Sequence, residues 1–111
     1  MSVRQKEIVL LHYPFTDLER KKVRPAIVVS NDFFNEKSQD CIMIPLTTVI
    51  KKEPHSILID QKDLSSGKLL KLSRVRVDKI FTVEKRLIIM KIGTLNKTIF
   101  DKIKSEIIKI F

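Results

Sequence analysis

Arg24 stands directly before Pro25 at the mouth of the apolar run Ala26-Ile27-Val28-Val29, and a second apolar run, ending at Leu46, delivers the hydroxyl pair Thr47-Thr48. Proline disfavours the α region for the residue before it, so Arg24 is extended and its side chain leaves the backbone in a restricted direction. A guanidinium fixed in this way presents a planar fork of donors that can bind two oxygens of one phosphate. The threonine hydroxyls add donors for a non-bridging oxygen. These groups suit the cleavage of RNA, whose 2′-hydroxyl is a built-in nucleophile. The protein need only align that hydroxyl, stabilise the charge of the phosphorane and move two protons. The competing reading is an exposed strand-edge arginine and a structural threonine pair.

The proton carriers are His12 and His55. His12 lies mid-strand, where a partly buried, satisfied imidazole is the default. His55 follows Lys51-Lys52-Glu53-Pro54 in a loop and is the better candidate acid or base. Ser73, Arg74 and Arg76, on an alternating segment, offer phosphate or base contacts, with a solvent-facing strand surface as the alternative. One cysteine and two histidines offer no ligand cluster of zinc-like spacing, so the expected chemistry uses no metal or other cofactor. The chain also lacks a Gly-rich phosphate loop, a Gly-x-Ser-x-Gly elbow and a Cys/His nucleophile signature.

The 111 residues suffice for one domain, residues 1–111, with a single main core. Twenty-two basic residues against 13 acidic ones give a formal charge of +9, distributed along the whole length. An anionic partner follows, and nucleic acid ranks above a membrane because no basic amphipathic anchor or lipidation signal is present. Cys41 sits in an apolar run as a small buried hydrophobe, which fits a reducing cytoplasm. The first residues lack the apolar core of a signal peptide, and no segment approaches the roughly 20 apolar residues that span a bilayer. A soluble, cytoplasmic protein is expected.

The elements that must position these groups are short. Residues 7–13 read as a first strand closed by Pro14, and residues 15–22 as a polar loop. Residues 25–30 form a second strand, apolar at nearly every position, as in one buried on both faces or lying at an oligomer interface. After a loop at 31–39, residues 40–46 form a third strand in which Pro45 marks an edge or a bulge. Residues 56–60 and 69–75 supply two more strands, 77–80 a short helical turn, and 86–92 a sixth strand ended by Gly93. In residues 96–111 the period changes: Ile99, Ile103, Ile107 and Ile110, with Phe100 and Phe111, recur at spacings of three and four. That is an amphipathic helix with Asn96 as its N-cap. The fold class is mainly β (α+β): a small, strongly bent antiparallel sheet or partial barrel with the helix packed against it.

The order of segments resembles the MazF/PemK family of toxins from toxin–antitoxin systems, over nearly the whole chain. The matching stretches are Glu7-Ile8-Val9-Leu10, Tyr13-Pro14-Phe15-Thr16-Asp17-Leu18, Arg24-Pro25-Ala26-Ile27-Val28-Val29-Ser30-Asn31 and Ile44-Pro45-Leu46-Thr47. They continue with Gly67, Ser73-Arg74-Val75, Ile80-Phe81-Thr82-Val83, Ile92-Gly93-Thr94-Leu95 and the closing helix. The resemblance implies an SH3-like small barrel that forms a homodimer. It further implies a metal-independent, sequence-specific endoribonuclease that cuts single-stranded RNA, leaving 2′,3′-cyclic phosphate and 5′-hydroxyl ends. Arg24 matches the family's catalytic arginine and Thr47 its catalytic threonine. A guanidinium with a pKa above about 12 is a poor base, which leaves His55 or a water as the other candidate for proton transfer.

The implied RNA-binding set is Thr16, Arg20, Lys21, Lys22, Thr48, Lys51, Lys52, Ser73, Arg74 and Arg76, with residues 14–22 matching the family's loop beside the active site. Lys6-Glu7 stand where the family usually opens its first strand with Gly-Asp. A cognate antitoxin with an acidic segment is the implied protein partner, complementary in charge to the basic groove. The rival functions are a gyrase poison of the CcdB type and a catalytically silent nucleic-acid-binding barrel. Against the first, the chain has no tryptophan near its C-terminus. Against the second, it keeps both Arg24 and Thr47.

Overall fold

The computed structural model describes residues 2–12 and 23–111. Among them the strands are β1 (Glu7–His12), β2 (Val23–Val28), β3 (Asp40–Thr47), β4 (Ser56–Ile59), β5 (Leu64–Gly67), β6 (Ser73–Arg76), β7 (Phe81–Glu84) and β8 (Ile88–Leu95). The helices are α1 (Asp32–Lys37) and α2 (Lys97–Ile110). The sheet is antiparallel, in the order β4-β6-β3-β2-β1-β8-β5, with β7 joined to β3 off that path. The mainly β architecture with a C-terminal helix is therefore as the sequence predicts.

Strand β3 bends the sheet. Its start, Asp40 to Met43, pairs with β7, whereas its end, Leu46 and Thr47, pairs with β6. Pro45 sits in the gap between these two partners while pairing with Ala26 on the other side. A residue without an N–H is tolerated where the ladder is interrupted, so this proline marks a change of partner and not the expected edge or bulge. The expected helical turn is a 3-10 turn at Val77–Lys79 and links β6 to β7 across the same gap.

The central strands are apolar on both faces because both are covered. Ile27, Ile44 and Leu46 join Ile99, Phe100 and Ile103 of α2 in one cluster, while Ala26, Val28, Cys41 and Met43 join Val9, Leu11 and Val83 in another. This selects the both-faces alternative for β2. Cys41 is buried, and burial pushes its thiol up to about 11, which leaves it the expected packing group. The Asn96 side chain accepts the Ile99 N–H at 2.9 Å and caps α2. The apolar stripe is buried only over the first turns, since Phe111 at the far end is 93% exposed.

Several local readings need correction. Residues 31–39 are not a plain loop: Asn31 caps α1 by accepting the Phe34 N–H at 2.8 Å. Six residues are too short to display a helical period, and α1 is docked instead through polar contacts. The buried Asn35 accepts from the Ser30 hydroxyl through its side-chain oxygen, and its amide donates to the Ser30 carbonyl at 2.9 Å. The fifth strand shortens to β6, because Leu69 to Leu72 turn away from the sheet and leave Leu70 84% exposed. β5, with Ser65-Ser66-Gly67, and the four-residue β7 carry too little pattern to be seen before their partners are known. Gly93 does not end β8 but lies inside it, opposite Gly67.

The first turn explains the Lys6-Glu7 opening. Lys6 adopts φ +79°, a left-handed conformation that favours glycine, while its N–H donates to the Val28 carbonyl at 2.9 Å and its carbonyl accepts the Leu95 N–H at 2.9 Å. Glu7 takes the acidic role, accepting the Arg4 N–H at 2.8 Å and pairing with Lys91 at 2.8 Å. Lys6→Gly is therefore expected to stabilise the fold by about 0.5–1 kcal/mol, the side-chain cost of that conformation less the added freedom of the unfolded chain. A urea titration checks it: the midpoint should rise at constant slope, and a lower midpoint would refute the strain.

Candidate active site

The β2–β3 ladder runs Val28↔Met43, Ile27↔Ile44, Ala26↔Pro45 and stops there. Beyond it Pro25 has no N–H to offer, the end of β2 stays with β1 through Leu10↔Pro25 and Leu11↔Arg24, and the end of β3 leaves for β6. The two strand ends splay. They enclose a cleft of about 380 Å³ lined by Val23, Arg24, Pro25, Leu46, Thr47, Thr48, Val49 and Ser73. Counted on from Ala26↔Pro45, Arg24 stands opposite Thr47 across the cleft. The residues that make the opening are thus the neighbours of those that line it.

Arg24 is exposed and has no ion-pair partner among the described residues. Among the described residues nothing neutralises its charge. The Thr47 hydroxyl accepts the Val49 N–H at 3.1 Å, which occupies a lone pair and leaves its proton to be donated. Thr48 is exposed beside it. Ser73 lines the cleft wall but is 3% exposed, with its hydroxyl donating to the Lys71 carbonyl at 3.0 Å.

The other candidates lie apart. Lys51 and Lys52 line a separate shallow cavity of about 400 Å³ with Glu53, Pro54, Ser56 and Leu58. Arg74 is also 3% exposed: its Nε donates to the Val49 carbonyl at 3.2 Å and its terminal nitrogen to Glu53 at 3.2 Å. Arg76 is half-buried and reaches Asp78 at 3.5 Å. His55, at φ +61°, places Nδ1 3.2 Å from Glu106 on α2. The Glu106 carboxyl is held below its ordinary range, first by the Lys109 ammonium and then by His55.

In the β4-β6-β3 register, His55 is two strands from Thr47 and three residues further along, outside the cleft. His12 is nearer, since it pairs with Val23 on the cleft wall. Thr16, Arg20, Lys21 and Lys22 lie outside the described residues. Val49 and Glu53 were missed by sequence reasoning, because their roles arise only when Arg74 is buried beneath their loop.

Among the described residues no group of three or more His, Cys, Asp or Glu side chains could hold a metal ion. Nor is any helix among them long and apolar enough to cross a membrane. The arrangement can bind a phosphate between a cation on one strand end and hydroxyl donors on the next.

The fold is shared with solved toxin structures. An endoribonuclease in complex with its cognate antitoxin, from Mycobacterial species, aligns with TM-score 0.79 at 18% identity, covering 96% of this chain and 92% of that one. The MazE–MazF structure (Form-III) from Deinococcus radiodurans aligns with TM-score 0.80 at 15% identity, covering 99% and 96%. The Mycobacterium tuberculosis toxin MazF-mt6 aligns with TM-score 0.74 at 18% identity, covering 91% of each chain. A search of curated protein sequences finds no match. The profile of the family described as PemK-like, MazF-like toxin of type II toxin-antitoxin system matches residues 4–111. With nearly its whole length so matched, the chain belongs to the PemK-like, MazF-like family of toxins from type II toxin–antitoxin systems.

Proposed function

We propose that this protein is an endoribonuclease toxin that cleaves single-stranded RNA without a metal, through attack of the 2′-hydroxyl on the adjacent phosphorus. The observation that carries the reading is the cleft in which Arg24 stands opposite Thr47. Arg24 stabilises the charge that develops on the phosphorane, and the Thr47 hydroxyl donates to a non-bridging oxygen. As the 2′-oxygen bonds to phosphorus the bond from phosphorus to the 5′-oxygen breaks, water takes the 2′-hydroxyl proton and water returns one to the departing 5′-oxygen, so the products are a 2′,3′-cyclic phosphate and a 5′-hydroxyl. His55, held by Glu106 outside the cleft, takes no part. Thr48, with Lys51 and Lys52 beyond it, guides the RNA backbone, joined by Arg76 and by Thr16, Arg20, Lys21 and Lys22. The solved chains described as an endoribonuclease with its cognate antitoxin and as MazE–MazF support an antitoxin partner here. The protein acts as a homodimer in the cytoplasm, as a single domain spanning residues 1–111.

The test is incubation of purified protein with a long unstructured RNA in EDTA, with the product ends mapped. Discrete cuts bearing 5′-hydroxyl ends are expected. Cleavage that requires added divalent metal, or none by folded protein free of antitoxin, overturns the reading. Affinity for a non-cleavable 2′-deoxy oligonucleotide should also fall steeply with salt. A log–log slope of about −0.7 is expected for each phosphate neutralised, and a flat response would refute the basic RNA path.

A further inference from the structure

We infer that Arg74 is a positioning residue for the Thr47 hydroxyl, acting through the peptide groups of Val49. This rests on the functional reading above. Two hydrogen bonds hold Val49: its N–H donates to the Thr47 hydroxyl at 3.1 Å, and its carbonyl accepts from Arg74 Nε at 3.2 Å. A single residue, Val49, thereby links Arg74 to the donor that lines the cleft. Because the Val49 N–H occupies a lone pair of the Thr47 oxygen, it fixes the rotamer and directs the remaining hydroxyl proton. Without it that hydroxyl rotates freely.

The guanidinium is well placed for this task. Arg74 pairs with Thr47 in the β6–β3 register, so its backbone is held by the same strand that carries its target. The side chain is 4% exposed, and its terminal nitrogen binds Glu53 at 3.2 Å, which draws the far end of the loop over it. A rigid fork with several donors can hold the Val49 carbonyl and the Glu53 carboxylate together. A lysine has one ammonium on a flexible stem and cannot reproduce both directions. Burial also separates Arg74 from the exposed Arg24, so its contribution reaches the phosphate through geometry and not by direct contact.

A double-mutant cycle tests the inference. Cleavage of a short RNA oligonucleotide is measured for wild type, Thr47→Ala, Arg74→Met and the double variant, with a thermal melt for each. Arg74→Lys, which keeps a charge beside Glu53, replaces Arg74→Met throughout if the latter does not fold. With Thr47 present, either substitution is expected to lower kcat by roughly 10- to 100-fold, as misplacement of a catalytic group does, with KM changed less than about threefold. In the Thr47→Ala background the same substitution should cost less than about threefold, because nothing remains to be positioned.

Equal losses in both backgrounds overturn the inference, as does a rise in KM with kcat unchanged, which marks a direct RNA contact. Unchanged kcat in folded protein also overturns it, since Arg74 would then be structural only. An inactive wild type overturns the functional reading and this one together, whereas an additive cycle on an active wild type overturns this one alone.

Discussion

Arg24→Ala is expected to abolish RNA cleavage, lowering kcat by roughly 10³-fold or more, while the melting temperature stays within a few degrees of wild type. Removing one preorganised neutral donor from an oxyanion site typically costs about 10²- to 10³-fold, and an arginine that clamps a phosphoryl transition state is worth about 10³- to 10⁵-fold. Arg24 is both a charge and a two-pronged donor, so the higher range applies. Stability should be spared for three reasons. The side chain is exposed and has no ion-pair partner among the described residues, and Pro25 still imposes the extended backbone. The pairing Leu11↔Arg24 is made by main-chain atoms that alanine retains. Thr47→Ala should lose about 10²-fold on the same logic, as a single neutral donor. Product-end mapping beside a melting curve checks both, and an Arg24→Ala protein cutting at the normal rate would show that the splayed strand ends are not the active site.

Gly67→Ala should lower stability by about 2–5 kcal/mol, a large fraction of what holds a domain of this size together. Gly67 has φ +87° and faces Gly93 across the β5–β8 ladder. A Cβ there would lie 2.3 Å from both Gly93 Cα and the Ile92 carbonyl oxygen. Both obstacles are backbone, which has no rotamer by which to retreat. The left-handed conformation alone costs an L-residue about 1–2 kcal/mol, and forced overpacking adds about 1–3. Gly93→Ala meets the Leu64 Cδ2 at 2.8 Å and the Ser66 carbonyl oxygen at 2.9 Å. The leucine can swing aside but the carbonyl cannot, so a smaller loss is expected. Urea unfolding is the measurement. A Gly67→Ala midpoint equal to wild type would mean that β5 peels away from β8 without cost. Since β5 ends the sheet and lies far from Arg24 in the strand order, the folded fraction should retain full cleavage activity.

Both residues confine their effects to one level of the structure, and the same division separates what could be read along the chain from what could not. Local chemistry was legible. The Arg24-Pro25 dipeptide fixes an extended cation whatever surrounds it, and Asn96 before an apolar stripe caps a helix by bonds to its own next residues. The apolar run of the second strand announced a segment hidden from water on both faces, and left cover within the chain or at an oligomer interface as the two ways to hide it. The ordered motifs, taken together, also marked the family.

Tertiary structure decided the rest, for reasons of register and burial. That Arg24 stands across from Thr47 depends on where the β2–β3 ladder ends and on β3 changing partner beyond Pro45, facts about three strands at once. His55 and Thr47 are close in sequence, yet pairing of β4 with β6 carries the histidine to α2 and out of the cleft. Arg74 and Arg76 have the same parity on one strand, but the loop after Thr47 folds over only the first. β5 and α1 are too short to be stable from propensity, so their existence depends on the partners that hold them. By itself the sequence determined which side chains carry charge and hydroxyls and which backbones are extended or capped, since those follow from atoms a few bonds apart. Which of those side chains share a cleft, and which are buried as supports beneath it, was settled by long-range pairing, where each strand's neighbours are chosen by surfaces that exist only once the chain has folded.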